Sequence, residues 1–212
     1  MNKVNYQKIL DKTIEHIKDQ ENVPTLLLHS CCAPCSSYVL EYLSNYFHIT
    51  IYFYNPNISY KEEYEKRIEE QKILISSLKV KHPISFIEGK YEPDLFYSIA
   101  KGLEHAPEGG ERCFLCYELR LEEVARMASD KGFDFFTTTL SISPHKDAAK
   151  LNAIGERMAK EYDVTYLYSD FKKKNGYKRS IELSKEHNLY RQDYCGCVYS
   201  KLERERENVR DK

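Results

Sequence analysis

Seven cysteines, none of them isolated, carry the chemistry of this sequence. Cys31, Cys32 and Cys35 fall within five residues, Cys113 and Cys116 form a C-x-x-C pair, and Cys195 and Cys197 form a C-x-C pair. Thiols at these spacings ligate metals or exchange electrons; an odd count cannot close into disulfides alone. Four thiols complete one closed zinc site or one iron–sulfur cluster, and three remain for a metal with an open position, which chemistry requires. The division that reads best gives Cys32, Cys35, Cys113 and Cys116 to the four-thiol site and leaves Cys31, Cys195 and Cys197 for the second. Neighbouring residues of an extended segment point to opposite sides, so Cys31 and Cys32 can serve adjacent sites, and their exchange stays open. Gly196 permits a tight turn that aims both flanking thiols one way, which suits metal ligands and a redox-active disulfide equally.

A second group lies at 137–147, where hydroxyls, the His145 imidazole and the Lys146 ammonium could hold a polar substrate or its phosphate. His145 or Asp147 could supply a proton, and Asp147 reads equally as a helix N-cap. His16, His29, His48, His82, His105 and His187 read as surface or core residues. Residues 172–179 hold five cations and no acid, with Tyr177 among them. Beside a thiol-rich site such a run favours contact with a phosphate backbone over a merely solvated face.

The elements that must position these groups alternate along the chain. Short apolar runs at 25–29, 48–54, 84–87, 134–139 and 164–168 read as strands. Helical spacing appears at 6–17, 36–43, 60–78, 93–101, 114–129 and 147–162, with Leu115, Leu119, Val124 and Met127 as core positions of the fifth helix. Strands separated by helices predict an α/β fold with a parallel sheet covered on both faces, Rossmann-like (HUP-type) in class, as a single domain over 1–212. Residues 170–212 read as a basic helical segment packed on it, since 171–212 hold 12 basic and 7 acidic side chains. Ligands of such sheets lie beyond the carboxyl ends of the strands. The loop after the first strand carries Cys31, Cys32 and Cys35, with Cys35 near a helix N-terminus that lowers a thiol's pKa. No glycine precedes Gly89, so the loop lacks the residues of a phosphate cradle and ATP or NAD binding is not expected.

At 212 residues, formal charge −1 and 42% hydrophobic content, the chain can bury one sizeable core and does not read as disordered or low-complexity. No apolar run reaches the ~18 residues of a membrane helix, and the opening segment Met1–Tyr6 has no leader-like stretch, so a cytoplasmic location without membrane partners is expected.

The strings His29-x-Cys31-Cys32-Ala33-Pro34-Cys35, Arg112-Cys113-x-x-Cys116-Tyr117-x-Leu119-Arg120, Phe136-Thr137-Thr138-Thr139-Leu140 with Ser143-Pro144, and Leu189-Tyr190-Arg191-Gln192-x-Tyr194-Cys195-Gly196-Cys197 closely resemble the QueH family of epoxyqueuosine reductases, over about residues 25–200. The resemblance implies a cobalamin-independent oxidoreductase that removes the epoxide oxygen of epoxyqueuosine in tRNA, the last step of queuosine formation, with an external electron donor. It implies a 4Fe-4S cluster on Cys32, Cys35, Cys113 and Cys116, beside a mononuclear iron on Cys31, Cys195 and Cys197. The last two are alternatively a redox disulfide; the residues themselves add that protons would come from water or His145. A zinc-stabilised RNA-binding module is the competing reading, and it leaves three thiols without a role. Thioredoxin-like exchange would need only one C-x-x-C.

Overall fold

Five strands and eight helices alternate in a computed structural model that describes residues 4–210. Met1, Asn2 and Lys3 of the opening segment, and Asp211 and Lys212 at the end of the basic segment, lie outside them. Helix α1 (Tyr6–Lys18) is capped by Asn5, whose side chain accepts the Lys8 N–H. Strand β1 (Thr25–His29) follows Pro24, and α2 (Ala33–Leu43) carries Pro34 in its first turn, where the missing N–H costs nothing. Then come β2 (His48–Phe53), α3 (Lys61–Ser77), β3 (Ile84–Glu88), α4 (Pro93–Ala100), α5 (Glu111–Asp130) and β4 (Phe135–Thr138). A 3-10 turn (Thr139–Ile142), α6 (Ala148–Glu161), β5 (Thr165–Tyr166), α7 (Gly176–Glu186) and α8 (Val198–Arg210) complete the order.

All strand pairings are parallel, in the order β3-β2-β1-β4-β5. The α/β class and the helix-flanked parallel sheet are therefore as the strand–helix alternation requires. Side chains along β1 alternate between two cores. Leu26 and Leu28 join Leu10, Ile14, Val39, Leu40 and Leu43 under α1 and α2, whereas Leu27 joins Leu121, Val124, Ala125, Phe136, Leu151 and Ile154 under α5 and α6. The order reverses at β1, with β2 to one side and β4 to the other, which opens the crevice beyond their carboxyl ends where the first three cysteines sit.

Helix α5 begins three residues earlier than its hydrophobic pattern suggests, because Gly110 occupies its N-cap and the first turn is polar. Cys113 and Cys116 thus lie inside the helix, one turn apart. Its core face is Tyr117, Leu121, Val124, Ala125 and Ala128, while Leu115, expected in the core, is 37% exposed and Leu119 and Met127 are half-buried. Over the first turns the buried face runs through Cys116, Tyr117, Arg120 and Leu121 instead of Leu115 and Leu119, because the cysteines and arginines turn toward the cavity. Helix α7 packs on α2 at Gly176, where a side chain would collide with the Phe171 carbonyl and the Tyr38 ring.

Cations of the 172–179 run find acids outside it. Lys172 pairs with Asp170 at 2.8 Å, Lys174 with Asp11 at 2.6 Å, and Arg179 with Glu41 and Glu186, each at 2.6 Å. Lys173 and Lys178 are exposed and belong to none of these pairs. Much of the run therefore ties the C-terminal segment to α1 and α2. Among the described residues no helix is long and apolar enough to cross a membrane.

Candidate metal centre

Cys31, Cys32 and Cys35 stand where β1 gives way to α2. Cys32 is the N-cap residue, with extended backbone, and the chain enters the helix immediately after it. The three sulfurs all lie within 4.8 Å of one another. The Cys31 and Cys32 sulfurs are 3.8 Å apart, and the Thr139 hydroxyl is 3.8 Å from Cys31. Hydrogen bonds from Cys32 and Cys35 hold the Cys31 thiol well below its ordinary pKa. The same sharing pushes Cys32 up to about 12 and Cys35 well above its ordinary value. Three thiols this close share protons among themselves, and such a set suits ligation of one cation.

The remaining four thiols come from the first turns of α5 and the segment entering α8. The Gly109 N–H donates to the Cys113 sulfur at 3.3 Å, and burial raises the Cys113 thiol. Burial also pushes Cys116 up to about 11. Cys197 is pushed up to about 12 by burial and then by Cys195, and it accepts the Ser200 N–H at 3.3 Å. Between them Gly196 adopts a φ of +122° and offers its carbonyl to the Ser59 N–H at 3.1 Å. The Cys195 carbonyl accepts from Arg67 at 3.1 Å, and its N–H donates to the Ser200 hydroxyl, which in turn donates to Glu108. The Lys146 ammonium donates to the Cys195 sulfur at 3.2 Å and lies 3.9 Å from Glu108. All seven cysteines are free thiols.

Two adjoining cavities collect these groups. The larger, 380 Å³, is lined by Cys31, Cys32, Cys35 and Cys195 together with Arg67, Lys146, His145, Tyr177, Arg191 and Tyr194. The smaller, about 10 Å³, is lined by Cys113, Cys116, Cys195 and Cys197 with Arg112, Tyr117 and Arg120. Cys195 and Glu108 belong to both walls. Each cysteine singled out in the sequence therefore lines one of two adjoining cavities, together the chamber: Cys31, Cys32 and Cys35 the larger, Cys113, Cys116 and Cys197 the smaller, and Cys195 both. Among the described residues Cys31, Cys32 and Cys35 are the set already gathered at metal-binding distance, and Cys32 and Cys35 stand in a different cavity from Cys113 and Cys116. His145 reaches its rim, exposed, with its backbone N–H on the Ser143 hydroxyl. Asp147 turns away as the cap of α6, accepting the Ala149 and Lys150 N–H groups at 2.8 and 3.1 Å. His29 is a core residue, its ring bridging the Thr138 hydroxyl at 2.8 Å and the Tyr54 carbonyl at 3.0 Å.

The sequence did not disclose the charge of the walls. Arg67, Arg112, Arg120 and Lys146 are the buried charged side chains among the described residues, all four line the chamber, and no carboxylate there is equally buried. Arg67 keeps Glu63 at 2.7 Å. Arg112 donates to the carbonyls of Leu103, Glu104 and Ala106. Both terminal nitrogens of Arg120 and the Tyr117 hydroxyl have no hydrogen-bond partner. Buried donors and cations in such excess fit an anionic guest, and metal bound by thiolates is anionic. Arg67 sits in a helix dense with charge and carries no sequence signal, whereas Arg112 and Arg120 flank the C-x-x-C and could have been noticed there.

The sequence model of the family described as "Epoxyqueuosine reductase QueH" matches residues 26–203. Curated relatives with that same name include one from Streptococcus pyogenes serotype M1, 42% identical over 200 residues, covering 93% of this chain and 78% of the relative. The relative from Staphylococcus epidermidis is 46% identical over 204 residues, covering 94% and 86%. The one from Thermotoga maritima is 37% identical over 188 residues, covering 85% and 92%.

Proposed function

This chain belongs to the epoxyqueuosine reductase QueH family, and from that premise we propose that its thiol chamber is the site of an oxidoreductase that converts epoxyqueuosine in tRNA to queuosine. The overall change takes two electrons and two protons, breaks both C–O bonds of the epoxide, and leaves an alkene and water. The observation that carries this reading is the convergence of seven free thiols and four buried cations on one chamber at the switch point of a parallel sheet.

Cys32, Cys35, Cys113 and Cys116 would hold a 4Fe-4S cluster, and Cys31, Cys195 and Cys197 a neighbouring iron. The donor set fits, because sulfur ligands suit iron and the walls supply the compensating positive charge. When bound, such a pair supplies single electrons and Lewis acidity without need of cobalamin, and an external donor must provide the two electrons.

The chain's own side chains do the rest. The 380 Å³ cavity admits an extruded nucleoside, and Tyr177 and Tyr194 on its wall offer ring faces for stacking. Lys146 presents a buried ammonium beside Cys195, where negative charge on an opening oxygen is stabilised. His145, at the solvent edge, relays a proton from water. Arg191 at the mouth is exposed and hydrogen-bonded to the Ser184 hydroxyl, a cation open to phosphate. Such a tRNA substrate is consistent with a cytoplasmic enzyme.

Protein prepared without oxygen tests the reading by metal and sulfide analysis, followed by nucleoside analysis of epoxyqueuosine-containing tRNA incubated with protein and a low-potential reductant. About five irons and four sulfides per chain, with queuosine formed, is the expected result. One zinc, no sulfide and no product would replace it with a zinc-stabilised RNA-binding module.

A further inference from the structure

Among the four buried cations of the chamber, Arg112 and Arg120 have no carboxylate partner, and Arg120 alone leaves both terminal nitrogens without an acceptor. It is 1% exposed, its Nε donates to the Cys116 carbonyl at 3.0 Å, and neither Nη1 nor Nη2 has an acceptor. No carboxylate lies within ion-pairing distance of it, in contrast to Arg67, which keeps Glu63, and Lys146, which has Glu108 at 3.9 Å. Arg112 spreads one nitrogen over three carbonyls in the loop before α5. The unpartnered end of Arg120 lines the same small cavity as Cys113, Cys116, Cys195 and Cys197, where the hydroxyl of Tyr117 is also without a partner.

An arginine remains charged whatever its surroundings, so the fold must either supply an anion or bear the cost of a bare guanidinium in a medium of low polarity. Glu108 lines the same cavity without pairing with Arg120, and the other acidic groups on that wall are the Tyr117 hydroxyl and the thiols of Cys113, Cys116, Cys195 and Cys197. A helix geometry enforces the placement, since Arg120 stands four residues after Cys116 on α5, one turn along the same face, and its Nε reaches back to the Cys116 carbonyl.

We propose that Arg120 is the fixed counter-charge of the metal–thiolate centre and sets its reduction potential. The inference rests on the reading of the chamber as an iron–sulfur site and adds a role for a residue that holds no metal. Each electron taken up makes a thiolate-bound cluster more negative, so a permanent cation buried beside it favours the reduced form. Because the pair is shielded from solvent, dissolved salt does little to weaken the effect. Arg120 is in this sense a positioning residue for charge, acting through the sulfurs.

The test uses full-length protein prepared without oxygen, as wild type, Arg120→Met, Arg120→Gln and Arg120→Lys. Iron and sulfide content of the wild type comes first: zinc without sulfide there refutes the iron–sulfur reading itself and, with it, this role. With the cluster present, a spectroscopic redox titration decides. In the two neutral variants the ratio of reduced to oxidised cluster at the wild-type midpoint should fall about tenfold, which for one electron is a shift of about 59 mV to more negative potential. Arg120→Lys should stay near the wild type, and the difference should persist in high salt. An unchanged midpoint in a neutral variant that carries a full cluster overturns the proposal. If neither neutral variant holds a cluster, Arg120→Lys decides. A loaded lysine variant shows that the charge is what the centre requires, and three empty variants show that Arg120 merely shapes the helix, which also overturns it.

Discussion

At the scale of single residues, the centre depends on backbone geometry as much as on sulfur. Gly196 adopts a φ of +122°, a region that side chains other than hydrogen rarely enter, and an added Cβ would approach Ile58 Cγ1 to 2.9 Å and Arg67 Nη1 to 3.3 Å. Gly196→Ala should therefore cost about 1–3 kcal/mol in strain and move Cys195 and Cys197, lowering the urea midpoint and the iron bound per chain together. Wild-type iron content at wild-type stability would show that the turn does not need glycine. The thiols and this glycine were legible because their identity and spacing are local facts. The buried cations were not, since a sequence gives no sign that Arg67 faces a cavity while the charged residues around it face water. Arg120 was visible only as a letter in a motif; its missing partner is a property of the packed state.

Elements place those residues, and here legibility followed the strength of local punctuation. Strand β1 was read to the residue because Pro24 precedes it and a polar turn follows. The start of α5 was missed because its first turn, Glu111-Arg112-Cys113, has no apolar face to announce a helix. Residues after 170 lack strand-like runs, so their two helices were foreseen only as a helical segment. Helix α6 offers the sharpest test of element against chemistry, since its N-terminus carries Asp147 in a loop that also supplies His145 and Lys146. The cap hydrogen bonds to Ala149 and Lys150 assign Asp147 to the helix. Asp147→Ala should lower stability by about 1 kcal/mol, and Asp147→Asn, whose amide oxygen caps equally well, should restore it. Both effects are measurable by urea denaturation. Asp147 lines neither thiol cavity, so any loss of turnover should track the loss of stability. A stable Asp147→Asn protein with turnover reduced by orders of magnitude would instead make the carboxyl a proton donor.

For the whole molecule, the question is how a near-neutral protein meets a polyanion. The C-terminal cations suggest a long electrostatic footprint, but the fold uses Lys174 and Arg179 to fasten that segment to Asp11 on α1 and to Glu41 on α2, and holds Lys172 on Asp170 within the segment. What remains is a short set of exposed cations: Arg191, which lines the larger cavity, and Lys173 and Lys178, which flank its wall residue Tyr177 in the sequence. A protein that neutralises about three phosphates should bind tRNA with a slope of about −2 to −3 in log affinity against log salt, since each contact contributes about −0.7 to −0.9. Removing Lys178 or Arg191 should therefore flatten the slope by nearly one unit and leave unfolding unchanged. Lys174→Ala should behave in the opposite manner, leaving the slope intact and loosening the C-terminal segment by under about 1 kcal/mol, the usual worth of an exposed pair. Asp11, held below the ordinary carboxylate range by Lys174 against the opposing effect of burial, makes the same tie sensitive to acid. Its contribution is present above the unfolded carboxylate pKa and disappears as pH falls through the lower folded value, so the Lys174→Ala and wild-type unfolding curves should converge in that acidic range. A slope of −5 or steeper in the wild type would mean that the fastened cations leave their acids when tRNA arrives. The C-terminal segment would then be a clamp that exchanges internal carboxylates for phosphates, and Lys174→Ala would weaken binding instead of folding.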